Sequence, residues 1–187
     1  MSRPRAPQNS QSTIEFGLSA LVLIFILLGL IDFGRAFYFG VGMQGAAREG
    51  ARQATWFDAS TSTNPYLADS AIKDAVDQML LKSGLPASTL ANPGTTCPTP
   101  TDGNVEYNPP YVESSFPTAV NQPLLFICYD STPGLDLAVA PNDNTLKGRD
   151  VNVIVLMSFG FASGFLAGAL GSSVHMVANT HMNVGGF

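Results

Sequence analysis

The sequence has few charged residues for its length. Charged residues make up 12% of the 187 residues, about half of the ~25% that is typical of soluble domains. Acidic residues outnumber basic ones by 14 to 9, so no basic stripe is present to neutralise phosphates, and we expect no nucleic-acid partner. The hydrophobic fraction of 45% excludes a charge-rich disordered chain.

The sequence also lacks the motifs of common catalytic and cofactor sites. It has no P-loop, no G-x-G-x-x-G, no G-x-S-x-G and no H-E-x-x-H. The two histidines, His175 and His181, would be separated by about 20 Å on a strand, which is too far to share a metal. We therefore predict that the protein is not an enzyme, and we expect no catalytic or metal site, no cofactor and no small-molecule substrate.

Proline is absent between Pro7 and Pro65, and this proline-free stretch contains a long apolar run. Phe16–Ile31 carries no charge and as a helix spans about 24 Å, short of the ~30 Å hydrocarbon core of a bilayer. A cleaved secretory signal is the alternative, because basic residues precede the run. No A-x-A-like cleavage site follows it, which favours a membrane helix.

Extending the helix to Phe39 makes it long enough to cross a bilayer but includes Asp32 and Arg35. These two residues are three apart, so they share one helix face and can pair at the membrane edge. We predict one transmembrane helix over Ile14–Phe39. Residues 1–13 would form a polar, leader-like segment on the cytoplasmic side.

Small residues recur every four positions beyond the apolar run, at Gly42, Ala46, Gly50 and Ala54. On a helix they form a continuous small-residue stripe that permits close helix packing. Glycine costs a helix roughly 1 kcal/mol relative to alanine, so we expect this cost to be offset by packing, with sister helices as the partners. The alternative is a flexible linker. The predicted transmembrane and assembly helix together cover residues 14–57.

Three stretches of this region resemble the TadE-like family. They are Ser10–Phe16, Ile31–Ala36 and Ala46–Arg52. Members are pseudopilins or minor pilins of the tight-adherence (Flp-type IVb) pilus machinery. The resemblance implies a non-enzymatic pilin-like subunit that acts in assembly of such a pilus or a related secretion filament. It implies four kinds of partner: the membrane, other pilin-like subunits, prepilin peptidase and the pilus assembly platform.

The resemblance also implies processing by the peptidase between Ser10 and Gln11, which would make Glu15 the fifth residue of the mature chain. The family usually has glycine where this chain has Ser10. The carboxylate of Glu15 would neutralise the amine of a neighbouring subunit during assembly. The alternative is a single-pass, membrane-anchored extracytoplasmic binding module that never joins a filament.

The positive-inside count does not decide the orientation, because basic residues lie on both sides of the apolar run. From the resemblance, we expect a single-pass protein of the bacterial cytoplasmic membrane. Its N-terminus would be cytoplasmic and its C-terminal part extracytoplasmic, and assembly would place it in a surface filament that serves cell adhesion.

Residues 58–187, here called the head, predict an α+β fold with one amphipathic helix and a small antiparallel sheet of three or more strands. The helix begins at Asp69 or Ser70 and ends near Ser83, with apolar residues on one face. Strands are predicted at Leu124–Tyr129 and at residues 151–158 and 174–184. Residues 86–123 are rich in proline and threonine and predict a long loop.

Two further features of the head bear on its location. Val151–Leu170 has no charge over 20 residues, so a second transmembrane helix is an alternative to a strand there. Cys97 and Cys128 are the only two cysteines. In an exported domain they predict a disulfide, and in a reducing compartment they would be free thiols.

Overall fold

The computed structural model describes residues 9–56, 69–91, 97–103, 108–130, 132–133 and 148–185. Its first element is α1, Asn9–Ala54, a single helix of 46 residues. Among the described residues, α1 is the one helix long and apolar enough to cross a membrane, and no residue of its most apolar stretch is buried. The helix begins before the predicted Ile14 and continues without interruption through the small-residue stripe.

The second helix, α2, covers Asp69–Lys82 and confirms the predicted amphipathic helix. The apolar residues of its buried face are Ile72, Val76 and Leu80, spaced by four residues as expected for one helix face. The chain leaves the helix through Gly84, whose φ of 72° is a conformation that favours glycine.

The described part of the head contains five strands: β1 (Thr89–Leu90), β2 (Leu124–Tyr129), β3 (Thr132–Pro133), β4 (Asp150–Gly160) and β5 (Ser173–Asn183). A 3₁₀ turn covers Glu113–Ser115, and a short helix, α3, covers Gly164–Leu170. The strands form one sheet with the order β1-β2-β4-β5, and β3 pairs with the end of β2. The predicted α+β class is confirmed, but the sheet is mixed rather than purely antiparallel because β1 runs parallel to β2. More than thirty residues separate these two strands, enough for a parallel crossover.

Strand β4 forms the centre of the sheet. It pairs with β2 on one side and with all eleven residues of β5 on the other. Every residue from Val151 to Gly160 is buried, which explains why this strand is apolar on both faces. The alternative of a second transmembrane helix over Val151–Leu170 is therefore wrong, since the first half of that segment is a strand and only its end is the short helix α3.

The two faces of the sheet are covered by different layers. One face packs on α1 and α2, and this core includes Met43, Ala47, Val76, Ile127 and Val155. The opposite face packs beneath the loop that precedes β2, with Tyr111, Phe126, Ile154 and Leu156 in the second core. The head and the C-terminal part of α1 thus form three layers: α1 with α2, the sheet, and the loop that precedes β2.

The disulfide between Cys97 and Cys128 is formed, with the two Cα atoms 6.2 Å apart. It joins the loop layer to β2 across 31 residues of sequence. Both cysteines are buried in the second core. The predicted pairing is therefore confirmed, and it fixes the loop layer against the sheet.

Candidate functional site at the junction of anchor helix and head

The N-terminal half of α1, up to Ile31, has its large apolar side chains on the surface. Phe16 is 74% exposed and Leu30 is 68% exposed. Glu15 is also exposed and lies at the start of this half. Ser10 and Gln11 lie in the first turn of the same helix. The roles predicted for these three residues in processing and assembly remain predictions.

The head begins to contact α1 at Asp32, which is only 1% exposed. Its carboxylate accepts hydrogen bonds from the backbone N–H groups of Ala162 and Ser163, at 2.7 and 3.0 Å, and from Ser163 Oγ at 2.5 Å. These donors precede α3, so Asp32 holds the loop between β4 and α3. Charge-assisted hydrogen bonds of this kind are stronger than neutral ones.

Arg35 partly neutralises the buried Asp32 carboxylate. Its Nη1 lies 3.3 Å from Asp32 Oδ1, one helical turn away. Its guanidinium also faces the rings of Phe39 and Phe159, at 5.7 and 5.4 Å from their centroids, which is within cation–π range. Asp32 and Arg35 therefore join three parts of the molecule: the anchor helix, the end of β4 and the loop leading to α3.

Sequence reasoning predicted a pair between Asp32 and Arg35 but missed Ser163, the third member of this junction. Ser163 lies 131 positions away from Asp32, and nothing in its local sequence marks it as a partner. The sequence offered only an indirect indication: Asp32 follows a long apolar run, and a carboxylate that becomes buried needs hydrogen-bond partners besides Arg35.

The small-residue stripe faces α2 of the same chain. A Cβ atom added at Gly42 would lie 2.5 Å from Ser83 Cβ, and one added at Gly50 would lie 2.5 Å from Val76 Cγ2. Ala46 and Ala54 are fully buried. The partner thus differs from the expected sister helices, since α2 already occupies the surface that these small residues create.

The two histidines have separate structural contacts. His175 stacks on Phe116 with ring centroids 4.0 Å apart. His181 lies between Asp150, which contacts its Nδ1, and Asn108, whose Oδ1 is 2.7 Å from its Nε2. Among the described residues, no group of three or more histidine, cysteine, aspartate or glutamate side chains could hold a metal ion.

Two tyrosines of the head have raised pKa values. Burial in the first core raises the pKa of Tyr129, and the nearby charge of Asp69 raises it further. Burial also raises the pKa of Tyr111, an effect that a hydrogen bond to Asn152 partly opposes. Both phenols are therefore stabilised in their neutral form and serve as packing residues.

Residues 11–52 match the family of TadE-like proteins. This segment is TadE-like. The match confirms the predicted resemblance and covers nearly the whole of α1, both its exposed half and the half beneath the head. TadE-like proteins are pilus-associated, membrane-anchored proteins of a structural, pilin-like kind. No curated protein and no solved structure matches the chain.

Proposed function

We propose that this protein is a non-enzymatic pilin-like subunit that acts in assembly of a tight-adherence pilus or a related secretion filament. The observation that carries the proposal is the coincidence of the TadE-like segment with α1. One half of this helix exposes a continuous apolar surface, which can contact lipid before assembly and other subunits after it. The other half holds the head.

We further propose that α1 anchors the protein in the bacterial cytoplasmic membrane, with its N-terminus in the cytoplasm and the head on the other side. The disulfide between Cys97 and Cys128 supports an extracytoplasmic head, because disulfides persist in oxidising compartments and are rare in the cytosol. Prepilin peptidase, other pilin-like subunits and the assembly platform are the proposed partners.

Glu15 is the proposed assembly residue. It lies at the start of the exposed apolar half of α1, where a carboxylate is costly to move into the bilayer. The free amine of a neighbouring processed subunit would lower this cost by pairing with it. Such pairing would align neighbouring helices at their N-terminal ends.

The N-terminus of the protein purified from its native membranes tests the proposal directly. Intact mass and terminal sequencing should show a start at Gln11, the product of prepilin-type processing. A start at Met1 would instead favour a single-pass anchored binding module outside any filament, in keeping with Ser10 at the cleavage position. A start beyond Gly34 would show a secretory signal and contradict membrane anchoring.

The variant Glu15→Ala tests the assembly role, with Glu113→Ala in the head as a matched control. Glu113 is an exposed acid in the 3₁₀ turn, so its loss should leave assembly unchanged. We expect Glu15→Ala to insert into membranes in normal amount but to be absent from sheared filaments. Normal incorporation of Glu15→Ala would rule out the charge-pairing role.

A further inference from the structure

The loop and helix between β4 and β5 lie at the end of the head nearest the exposed half of α1. Strand β5 runs alongside α1: Met176 Cε would lie 3.3 Å from a Cβ at Gly40, and Gln44 Nε2 donates to Thr180 Oγ1 at 3.3 Å. Lower residue numbers in β5 therefore correspond to lower residue numbers in α1. The start of β5, and α3 before it, lie at the level of Asp32.

An apolar cavity of about 480 Å³ lies between α1 and α3. Residues 161–174 contain no charge. Several apolar side chains around the cavity are also exposed: Phe33 by 71%, Leu170 by 63% and Val174 by 44%. The cavity is lined by Gly29, Phe33, Phe161, Leu166, Leu170 and Met176, among others. Exposed apolar surface of this kind marks a contact with a partner or a membrane.

The length of the apolar run indicates what covers this surface. Phe16–Ile31 spans about 24 Å, roughly 6 Å less than a hydrocarbon core. Glu15 limits the run at one end, so the missing length, about four residues at 1.5 Å each, lies past Ile31. There Phe33 and Phe37 are 71% and 67% exposed, while Asp32 is buried beneath the head. The hydrocarbon boundary therefore falls at the level of α3.

We propose that α3 and the cavity beneath it contact the acyl chains of the leaflet on the head's side. The protein would then have a second, interfacial membrane contact besides α1. The hydrogen bonds from Ala162 and Ser163 to Asp32 hold this contact at a fixed depth. The inference rests on the membrane anchoring within the proposed function and is independent of filament assembly.

A fluorescent probe at position 170 tests this contact. Leu170→Cys is labelled with an environment-sensitive fluorophore in the intact, oxidised protein, whose native cysteines are joined in the disulfide. The protein is reconstituted into phosphatidylethanolamine–phosphatidylglycerol nanodiscs that contain a lipid spin-labelled near the top of its acyl chain or, in a second preparation, near the end of that chain. Leu81→Cys is the matched control, because Leu81 is an equally exposed leucine, 59%, on α2. Ile24→Cys, in the exposed half of α1, is the positive control for anchoring.

We expect the shallow label to reduce emission several-fold at position 170, the deep label to do so at position 24, and neither label to have much effect at position 81. Equal, weak quenching at 170 and 81 with strong quenching at 24 would overturn the contact while leaving the anchor intact. Weak quenching at all three positions would contradict the anchor and the contact together. If the probe at 170 reports an apolar environment only when two copies share a nanodisc, and the labelled lipid does not quench it, a second copy rather than lipid fills the cavity. That result would also overturn the proposed contact.

Discussion

The two halves of α1 differ in what surrounds them, although together they form one uninterrupted helix. From Ile14 to Ile31 the helix has bulky aliphatic and aromatic side chains, nearly all of them exposed. From Met43 to Ala54 its buried positions are mostly alanine, packed against α2 and the sheet. Hydropathy separates the two halves, because three charged and two glutamine side chains lie in the second and the run from Phe16 to Ile31 has none. The apolar residues of the two halves also differ in size, because close packing of a helix on protein requires small residues and contact with fluid lipid does not.

The small-residue stripe of α1 packs against a helix of the same chain rather than against another subunit. A four-residue spacing of small residues next to a membrane helix suggests a contact between two chains. Here the same spacing lets α2 approach α1 within one chain. The part of α1 that remains uncovered within the described chain is therefore its bulky half.

Removal of the Asp32 carboxylate should have the largest effect, because it detaches the head from α1 where the two halves meet. Asp32→Ala removes three hydrogen bonds and leaves Arg35 without its carboxylate partner. Arg35 is about one-third exposed and can be rehydrated, so the cost comes mainly from three hydrogen bonds to a charged group, which together should contribute at least about 4 kcal/mol. We expect a loss of that size in the unfolding free energy in detergent, with faster hydrogen exchange at Ala162 and Ser163. Asp74→Ala, at an exposed position of α2, should change neither quantity.

Loss of the disulfide should weaken the head while leaving the exposed half of α1 helical. Closing a loop of 31 residues contributes roughly 3–4 kcal/mol in the chain-entropy model. The double variant Cys97→Ser, Cys128→Ser should therefore unfold at lower temperature, as followed by the near-ultraviolet signal of the head. Residual helical circular dichroism should persist after the head has melted. A simultaneous loss of both signals would contradict the independence of the exposed half.

Alanine substitutions at two glycines of α1 should change the unfolding free energy differently, because one glycine is closely packed and the other is not. At Gly50 the new Cβ would lie 2.5 Å from Val76 Cγ2 and 3.1 Å from Val153 Cγ1, whereas at Gly34 nothing lies within 4 Å. Overpacking costs about 1–3 kcal/mol, so Gly50→Ala should lower the unfolding free energy. Gly34→Ala should be neutral or slightly stabilising, because alanine is the better helix former. Equal effects at both positions would argue against close packing at Gly50.

Alkaline pH should produce the smallest effect, and only in the core between the sheet and the helices, where Tyr129 is buried. The pKa of Tyr129 is raised in the folded protein, so its contribution to stability is complete below the unfolded pKa of about 10 and is lost as the pH rises above it. Tyr129→Phe should reduce the slope of unfolding free energy against pH in that range. An ultraviolet titration of the phenolate should show one fewer late-titrating group in the variant.

Local patterns predicted the regular elements of the fold well. The boundaries of Leu124–Tyr129 as a strand and of the helix starting at Asp69 agree with the structure, because alternation and four-residue spacing are properties of the segment itself. The two-residue strands at Thr89–Leu90 and Thr132–Pro133 were missed because they are too short to have a period. They are strands only because each of them pairs with β2.

The junction at Asp32 could be predicted only in part, for a similar reason. Arg35 is one helical turn from Asp32, so their proximity follows from helix geometry. Ser163 reaches the same carboxylate only because β4 places the following loop against α1. The partner of the small-residue stripe was misjudged because spacing shows that something packs closely but does not show which helix does so. Tertiary partners of this kind depend on the whole chain.

The continuity of α1 has a mechanical consequence. The helix is 46 residues long, about 69 Å at 1.5 Å per residue, and the described residues of this helix include no proline and no residue with positive φ. It therefore acts as a stiff rod without a hinge at the membrane surface. The tilt that α1 adopts in the bilayer determines the tilt of the head, and a load applied to the head is transmitted along the rod to its N-terminal end.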